Sequence, residues 1–357
     1  PPSQLCPLLC SGTVGARNAS TRPPKPCAVV ASTVIGRRRV CRRRAAATTV
    51  PRAAADENDS DKSSAPTPLP PGEPSASASA LSFLCPLLKV FGGGGDAAAP
   101  RNRVLEVATS GFASISRLPF GTTVDAAVLS RPAAALPKER LVLYEFEACP
   151  FCRRVREALT QLDLTVEVRP CPKDSEVHRA EVEALGGKLT FPFLVDPNTD
   201  VRMYESADIV RYLYDNYGNG APFPESIVST TVLTGWMPTL LRAGRGMTRY
   251  PGTRAAPTTG GAGAAPTTGG VTAPLTLYNY EGNQFARLVR EALCELEVPY
   301  TLRNCGKGSP NRAELKALGG EGASVPFLID PNTGESLGES EEIVAYLFRQ
   351  YGGSGGA

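Results

Sequence analysis

The chain has 357 residues, room for two or three domains, and its 35 glycines and 33 prolines gather in three tracts, so the stretches between them are ordinary globular sequence. The formal charge is only +3, and ten of the basic residues lie in residues 1–55, where no acid occurs; the rest is slightly acidic, which argues against nucleic-acid binding by the whole protein. The ten cysteines follow neither a secreted disulfide framework nor a zinc module, and His178 is the single histidine, so no metal site is expected.

Residues 1–55 are rich in Arg, Ala, Ser and Pro, and the first acidic residue is Asp56. This composition resembles a transit peptide and implies an organellar address, the plastid stroma first and the mitochondrion second; a disordered basic tail is the alternative. Residues 56–80 read as disordered linker, which makes 1–80 a leader plus linker. Residues 81–140 are an ambiguous extension. Apolar groups in Phe83–Val90, Val104–Ile115 and Thr122–Leu129 suit an extra helical or strand layer.

Residues 141–218 and 275–352 then align with one compensated single-residue slip, about half of the paired positions being identical. Both copies run through AE-x-x-ALGG, PFL-(V/I)-DPNT and ES-x-x-IV-x-YL to YG, which is evidence for two copies of one fold. In the first copy, Leu141–Phe146 reads as a buried strand. Phe151–Leu162 carries a helical apolar stripe. A strand around Val166 and Val168 follows, then a helix over Glu176–Leu185 stopped by Gly186-Gly187. Phe193–Val195 and Val201–Met203 flank a turn at Asp196-Pro197-Asn198-Thr199, and Ser206–Tyr217 is a closing helix. The order βαβαββα gives an α/β fold of two thioredoxin-like domains in tandem, each a four-stranded mixed sheet with helices on both faces. About 80 residues bury a modest core, so pairing of the copies is expected to help.

Residues 219–274 join the copies. AAPTTGG occurs at 255–261 and 264–270, a flexible spacer. Residues 219–250, with Arg242, Arg245 and Arg249, read as a helical appendage to the first copy. The apolar stretch 226–241 is too short and polar to span a membrane; packing on a domain is favoured, and peripheral membrane contact is left open. No transmembrane segment is expected.

Cys149-Pro150-Phe151-Cys152 lies at the strand–helix junction of the first copy. Cys149 is expected exposed at the helix start and Cys152 one turn in, partly covered. Backbone N–H groups, with Arg153 and Arg154 nearby, favour a Cys149 thiolate. Cys149 would attack glutathione or a protein thiol as a disulfide, and Cys152 would resolve the mixed disulfide. The alternatives are a pair of buried structural thiols, or metal binding by two thiolates that cannot complete a tetrahedral site.

With CPFC ahead of Phe191-Pro192 and Glu205-Ser206, both copies resemble the glutaredoxin-like amino-terminal domain of glutathione S-transferases, and the tandem looks like a plastid group of plants and algae. The resemblance implies that Cys149 is the catalytic cysteine, that Phe191 and a cis Pro192 face it, and that Glu205 and Ser206 receive the glutamyl end of glutathione, Ser206 also capping the last helix. Glutathione is implied as co-substrate, with no tightly bound cofactor. In the second copy Pro326, Glu339 and Ser340 match the same positions, but Asn283 replaces Cys149 and Ala286 replaces Cys152, leaving a degenerate glutathione site. Tyr278 and Tyr280 fit strand packing better than thiol activation. Cys171 and Cys305 correspond by repeat position and read as surface or half-buried thiols, with a regulatory disulfide as the lesser alternative. Transferases of this family add an all-helical domain that neither 219–274 nor the residues after Gly352 encode, so bulky-electrophile conjugation is not expected. The leading function is a glutathione-linked thiol–disulfide oxidoreductase, by glutaredoxin-like reduction or deglutathionylation. The rivals are a non-enzymatic binding or assembly protein of the plastid and a glutathione-assisted iron–sulfur carrier.

Overall fold

The computed structural model describes residues 102–175, 177–253 and 271–353. Residues 1–101, with the leader, and Glu176 and residues 254–270, with the whole AAPTTGG spacer, lie outside the described residues. The elements are α1 (Arg103–Ile115), α2 (Ala126–Leu129), β1 (Leu141–Glu145), α3 (Pro150–Gln161), β2 (Val166–Pro170), α4 (His178–Gly186), β3 (Phe193–Asp196), β4 (Val201–Met203), α5 (Ser206–Tyr217), α6 (Glu225–Thr234) and α7 (Trp236–Leu241). The second copy follows as β5 (Leu275–Asn279), α8 (Gln284–Glu295), β6 (Tyr300–Asn304), α9 (Asn311–Gly319), β7 (Phe327–Asp330), β8 (Glu335–Leu337) and α10 (Ser340–Tyr351). The helix expected over Glu176–Leu185 spans His178–Gly186 and ends at Gly187, whose φ of 72° is open to glycine at little steric cost.

The two four-stranded sheets are not separate. They fuse into one eight-stranded sheet, in the order β4-β3-β1-β2-β6-β5-β7-β8. The joint is antiparallel pairing of β2 with β6, with Val166 opposite Leu302, Glu167 opposite Thr301 and Val168 opposite Tyr300. Val166 and Tyr300 hold the same place in their own repeats, opposite Leu141 and Leu275. The seam therefore has an internal twofold through Glu167 and Thr301, the geometry of an isologous dimer within one chain. Each repeat covers the exposed edge that the other would leave unpaired.

Alternation along β1 and β5 divides the core. Leu141, Leu143, Leu275 and Leu277 face the helices α3, α5, α8 and α10, through Val155, Leu159, Ile209, Leu213, Val289, Leu293, Ile343 and Leu347, in one cluster that runs through both repeats. Tyr144 and Phe193 point the other way, with Val182 of α4; Tyr278 and Phe327 do so with Leu315 of α9.

The duplication reaches further than 141–218 and 275–352. Arg117-x-x-x-Gly121-x-Thr123 ahead of the first repeat recurs as Arg242-x-x-x-Gly246-x-Thr248 ahead of the second. Arg117 pairs with Glu157 at 2.5 Å and Arg242 with the equivalent Glu291 at 2.7 Å. The backbone of Lys307 bonds to Thr122 and Val124, and that of Lys173 to Met247 and Arg249. Gly121 and Gly246 have φ of 64° and 72°. A Cβ there would come within 2.9 Å of the Glu281 side chain and 2.7 Å of the Glu147 side chain, so both turns need glycine. The appendages are exchanged. α1, which precedes the first repeat, packs on α8 of the second, while α6 and α7, which precede the second, pack on α3 of the first.

Candidate functional site

The first repeat begins its first helix with Cys149. The residue is the N-cap of α3, its Sγ accepts the Cys152 N–H at 3.3 Å, and Pro150 takes the first helical position. Burial pushes a thiol up, and the charge of Glu145 adds to that. The Cys152 thiol and the N–H groups of Cys152 and Phe151 outweigh both, so the Cys149 thiol lies below its ordinary range. Cys152 is pushed well above it, first by burial and then by giving its hydrogen bond to Cys149. The environments thus pull the two thiols apart, one acidic and one held protonated.

Cys149 is not exposed as the sequence suggests: it is 4% accessible, and Cys152 is wholly buried. The exchanged appendage packs on both chain neighbours of Cys149. Gly235, between α6 and α7, sits so close that a Cβ would lie 3.2 Å from that of Pro150, and Thr239 Oγ1 donates to the Ala148 carbonyl at 2.5 Å.

Arg154 ties this roof to the site. Its Nε donates to Thr231 Oγ1 at 3.0 Å, Nη2 to the Val228 carbonyl at 3.1 Å and Nη1 to Ser206 Oγ at 3.1 Å. Arg153, expected near Cys149, turns toward Glu281 of the other repeat, at 3.7 Å. Ser206 is buried as the first residue of α5, and the capping position falls to Glu205. Glu205 is held at φ 64°, a sparsely populated region for a residue with a Cβ. The Phe191–Pro192 bond is cis, and the Phe191 ring meets Phe146, three residues before Cys149, edge-on at 6.1 Å.

The second repeat keeps the frame with different chemistry. Asn283 Oδ1 takes the N–H groups of Phe285 and Ala286 at 2.9 and 2.8 Å, and its Nδ2 donates to the Val325 carbonyl, next to cis Pro326, at 3.4 Å. The helix mouth and the proline loop are therefore in direct contact. Asn283 is half-buried and opens on a cavity of about 400 Å³ lined by Tyr280, Arg312, Lys316 and Val325. Glu339 has relaxed to φ −102°, and Ser340 is half-buried. Tyr278 donates to Glu314 at 2.8 Å, a strand-packing role. Cys171 and Cys305 are fully buried rather than half-exposed, each packed under its sheet.

Below the two sites, and missed from the sequence, lies a buried ionic cluster. Arg156 pairs with Glu145, with Glu147 at 3.2 Å and with Glu281 at 2.8 Å. Arg290 pairs with Glu147 at 3.1 Å and Glu281 at 2.9 Å, and donates to Asn279 Oδ1 at 3.1 Å. Burial, against the opposing pull of Arg156, raises the Glu145 carboxyl to about 7. Glu281 is driven the other way: its burial is overcome by the charges of Arg156, Arg290, Arg153 and Arg287.

Residues 143–222 and 277–355 both match the glutathione S-transferase amino-terminal domain family. The chain carries two such domains in tandem. Among curated proteins no match is found. Among solved structures, a glutathione transferase of the silkworm Bombyx mori, BmGSTD1, is 24% identical over 23% of this chain and 38% of its own, with a TM-score of 0.21. The Leishmania TDR1 protein, a trimeric glutathione transferase, is 16% identical over 60% of this chain and 67% of its own, with a TM-score of 0.22. No helix among the described residues is long and apolar enough to cross a membrane.

Proposed function

We propose that the protein is a glutathione-linked thiol–disulfide oxidoreductase in which Cys149 is the nucleophile. The observation that carries this reading is the position of the Cys149 sulfur as the N-cap of α3, with its pKa lowered, in a domain whose fold is of the glutathione-binding type. The Cys149 thiolate attacks the glutathionyl sulfur of a mixed disulfide. A Cys149–glutathione disulfide forms as the substrate thiolate leaves and takes a proton. A second glutathione thiolate then attacks the glutathionyl sulfur and releases glutathione disulfide and the Cys149 thiolate. Alternatively, deprotonated Cys152 attacks Cys149, forming an internal disulfide and expelling glutathione. Phe191, Pro192, Glu205 and Ser206 would seat the tripeptide, and the strained Glu205 backbone supports that assignment. The site of Asn283, Pro326, Glu339 and Ser340 would bind without exchange. An Arg-rich leader read as a plastid address goes with this proposal.

The burial of Cys149 favours a second reading, a thioredoxin-fold binding or assembly module whose cysteines stay covered by α6 and α7. Mass mapping of the segment with residues 149–152 after exposure to glutathione disulfide separates the two. The enzyme reading expects one adduct there, trapped in Cys152→Ser, and none there in Cys149→Ser. Equal behaviour of the two variants, or no adduct in either, leaves the binding module.

A further inference from the structure

At the opposite end of β1 from Cys149, where the N-terminal ends of β1 and β2 meet the C-terminal end of β6, lies a cavity of about 360 Å³. Arg131, Lys138, Arg140 and Arg303 supply four cations to its lining, and Asp163 is the one carboxylate there. Val128, Leu129, Leu136, Pro137 and Pro310 supply an apolar wall. The arginines are held from behind. Arg131 Nη1 donates to the Tyr217 carbonyl at 2.7 Å, Arg140 Nη1 to Thr301 Oγ1 at 3.3 Å and Arg303 Nη1 to Thr165 Oγ1 at 3.3 Å, while Arg303 Nη2 pairs with Glu314.

The internal twofold supplies the comparison. Asp163 corresponds to Glu297; both follow the first helix of their repeat, with φ of 47° and 56°. Glu297 is fully buried at the mouth of α4. Its carboxylate accepts the Ser175 hydroxyl, the Val177 N–H at 3.2 Å and the His178 N–H at 3.4 Å, and lies 3.3 Å from Arg249. In that half, then, the niche between cation and helix mouth holds an anion belonging to the chain. Asp163 is one methylene shorter, and its Oδ1 is buried without a hydrogen-bond partner. On its side the lining holds more cations than carboxylates.

We propose that this cavity binds an organic phosphate monoester, the phosphate among Arg131, Lys138, Arg140 and Arg303 and the apolar body against Leu129, Leu136 and Pro310. A dianion suits Arg131, Lys138 and Arg140 beside the Arg303–Glu314 pair, guanidinium groups match phosphate oxygens in pairs, and the volume fits a small ligand. The site is separate from the cysteines and does not depend on their chemistry.

Calorimetric titration of the full chain with 2-naphthyl phosphate tests it, with inorganic phosphate and 2-naphthol as the two halves of the probe. The expected result is saturable binding at one site, at least tenfold tighter than either half. Arg140→Gln, an exposed position that leaves the fold intact, should weaken it at least tenfold. Asp163→Glu, which imitates Glu297, should do the same by filling the niche. Melting curves confirm that the variants are folded. No binding, binding unchanged in both variants, or naphthol binding as tightly as its phosphate would overturn the proposal. Inorganic phosphate binding as tightly as the ester would overturn the role of the apolar wall.

Discussion

Arg156 lies 2.8 Å from Glu281, its helix in one repeat and its carboxylate partner in the other. The twofold supplies the reciprocal contact, Arg290 to Glu147 at 3.1 Å. These four residues are buried, so the seam is held by charges removed from water as well as by the β2–β6 ladder. Desolvation makes such a cluster weak evidence for net stability, but removal of one member leaves the others uncompensated. Glu281→Gln is expected to cost about 3–5 kcal/mol, since it takes a shared counter-charge from Arg153, Arg156, Arg287 and Arg290. Urea unfolding measures this, and both repeats should lose structure in one transition. A cost below about 1 kcal/mol would show that the cluster is solvated, contrary to its burial.

Glu145 predicts a pH dependence. Its carboxyl is raised to about 7 by burial, so the folded chain holds a proton that the unfolded chain releases near pH 4.5. The sign follows from linkage: its contribution to stability is fully present below about pH 4.5 and is lost as pH rises toward 7. Buried His178 is lowered by burial and works in the opposite direction near its ordinary pKa, so the informative quantity is a difference. Glu145→Gln places at this position the kind of amide that the second repeat already has at Asn279, which accepts from Arg290. Relative to wild type, the variant should gain stability steadily between about pH 5 and 7 and run parallel to it below about pH 4. Parallel curves across the whole range would mean that Glu145 is not raised.

The roof over Cys149 predicts slow chemistry at an acidic thiol. Arg154 fastens it through Thr231 and the Val228 carbonyl, and the second repeat has Leu288 at the matching position. Arg154→Leu should speed alkylation of Cys149 by iodoacetamide about tenfold, the equivalent of roughly 1.4 kcal/mol of closure. Mass mapping at fixed pH reads the rate. An unchanged rate would show that α6 and α7 hold without Arg154.

Much of this was legible in the sequence, for reasons tied to particular residues. Alternation in Leu141–Glu145 and the stop at Gly187 marked the strand and the second helix because local pattern and tertiary burial agree there. The position of Cys149 as a helix cap followed from Pro150, which suits only a first turn. Its burial was not legible, because Gly235 and Thr239, which pack on its neighbours Pro150 and Ala148, lie far along the chain in an exchanged appendage. Nor were the buried arginines. Arg153, Arg154 and Arg156 occupy what reads as the solvent face of an amphipathic helix, and only the seam and the roof make that face interior. The one available signal was the recurrence of Arg-x-x-x-Gly-x-Thr, too sparse to stand out from a composition rich in all three residues.

The second repeat allows the reverse experiment, in which a cysteine is introduced and not removed. Asn283 Oδ1 already takes two N–H groups at the mouth of α8, at 2.9 and 2.8 Å, the interaction that favours a thiolate. It is half-buried where Cys149 is covered, and it opens on a cavity that includes Arg312 and Lys316. Asn283→Cys is therefore expected to give a thiol below the free value of about 8.5 and to react faster than Cys149 at neutral pH. In the double variant with Ala286→Cys, the new pair should close to a disulfide under glutathione disulfide, adding a second two-proton mass loss. Alkylation rate against pH, read by mass mapping, decides the matter. If the thiol of the Asn283→Cys variant titrates at or above the free value, the N–H groups capping α8 are unable to hold a thiolate there, and the same geometry loses its force as the argument for Cys149.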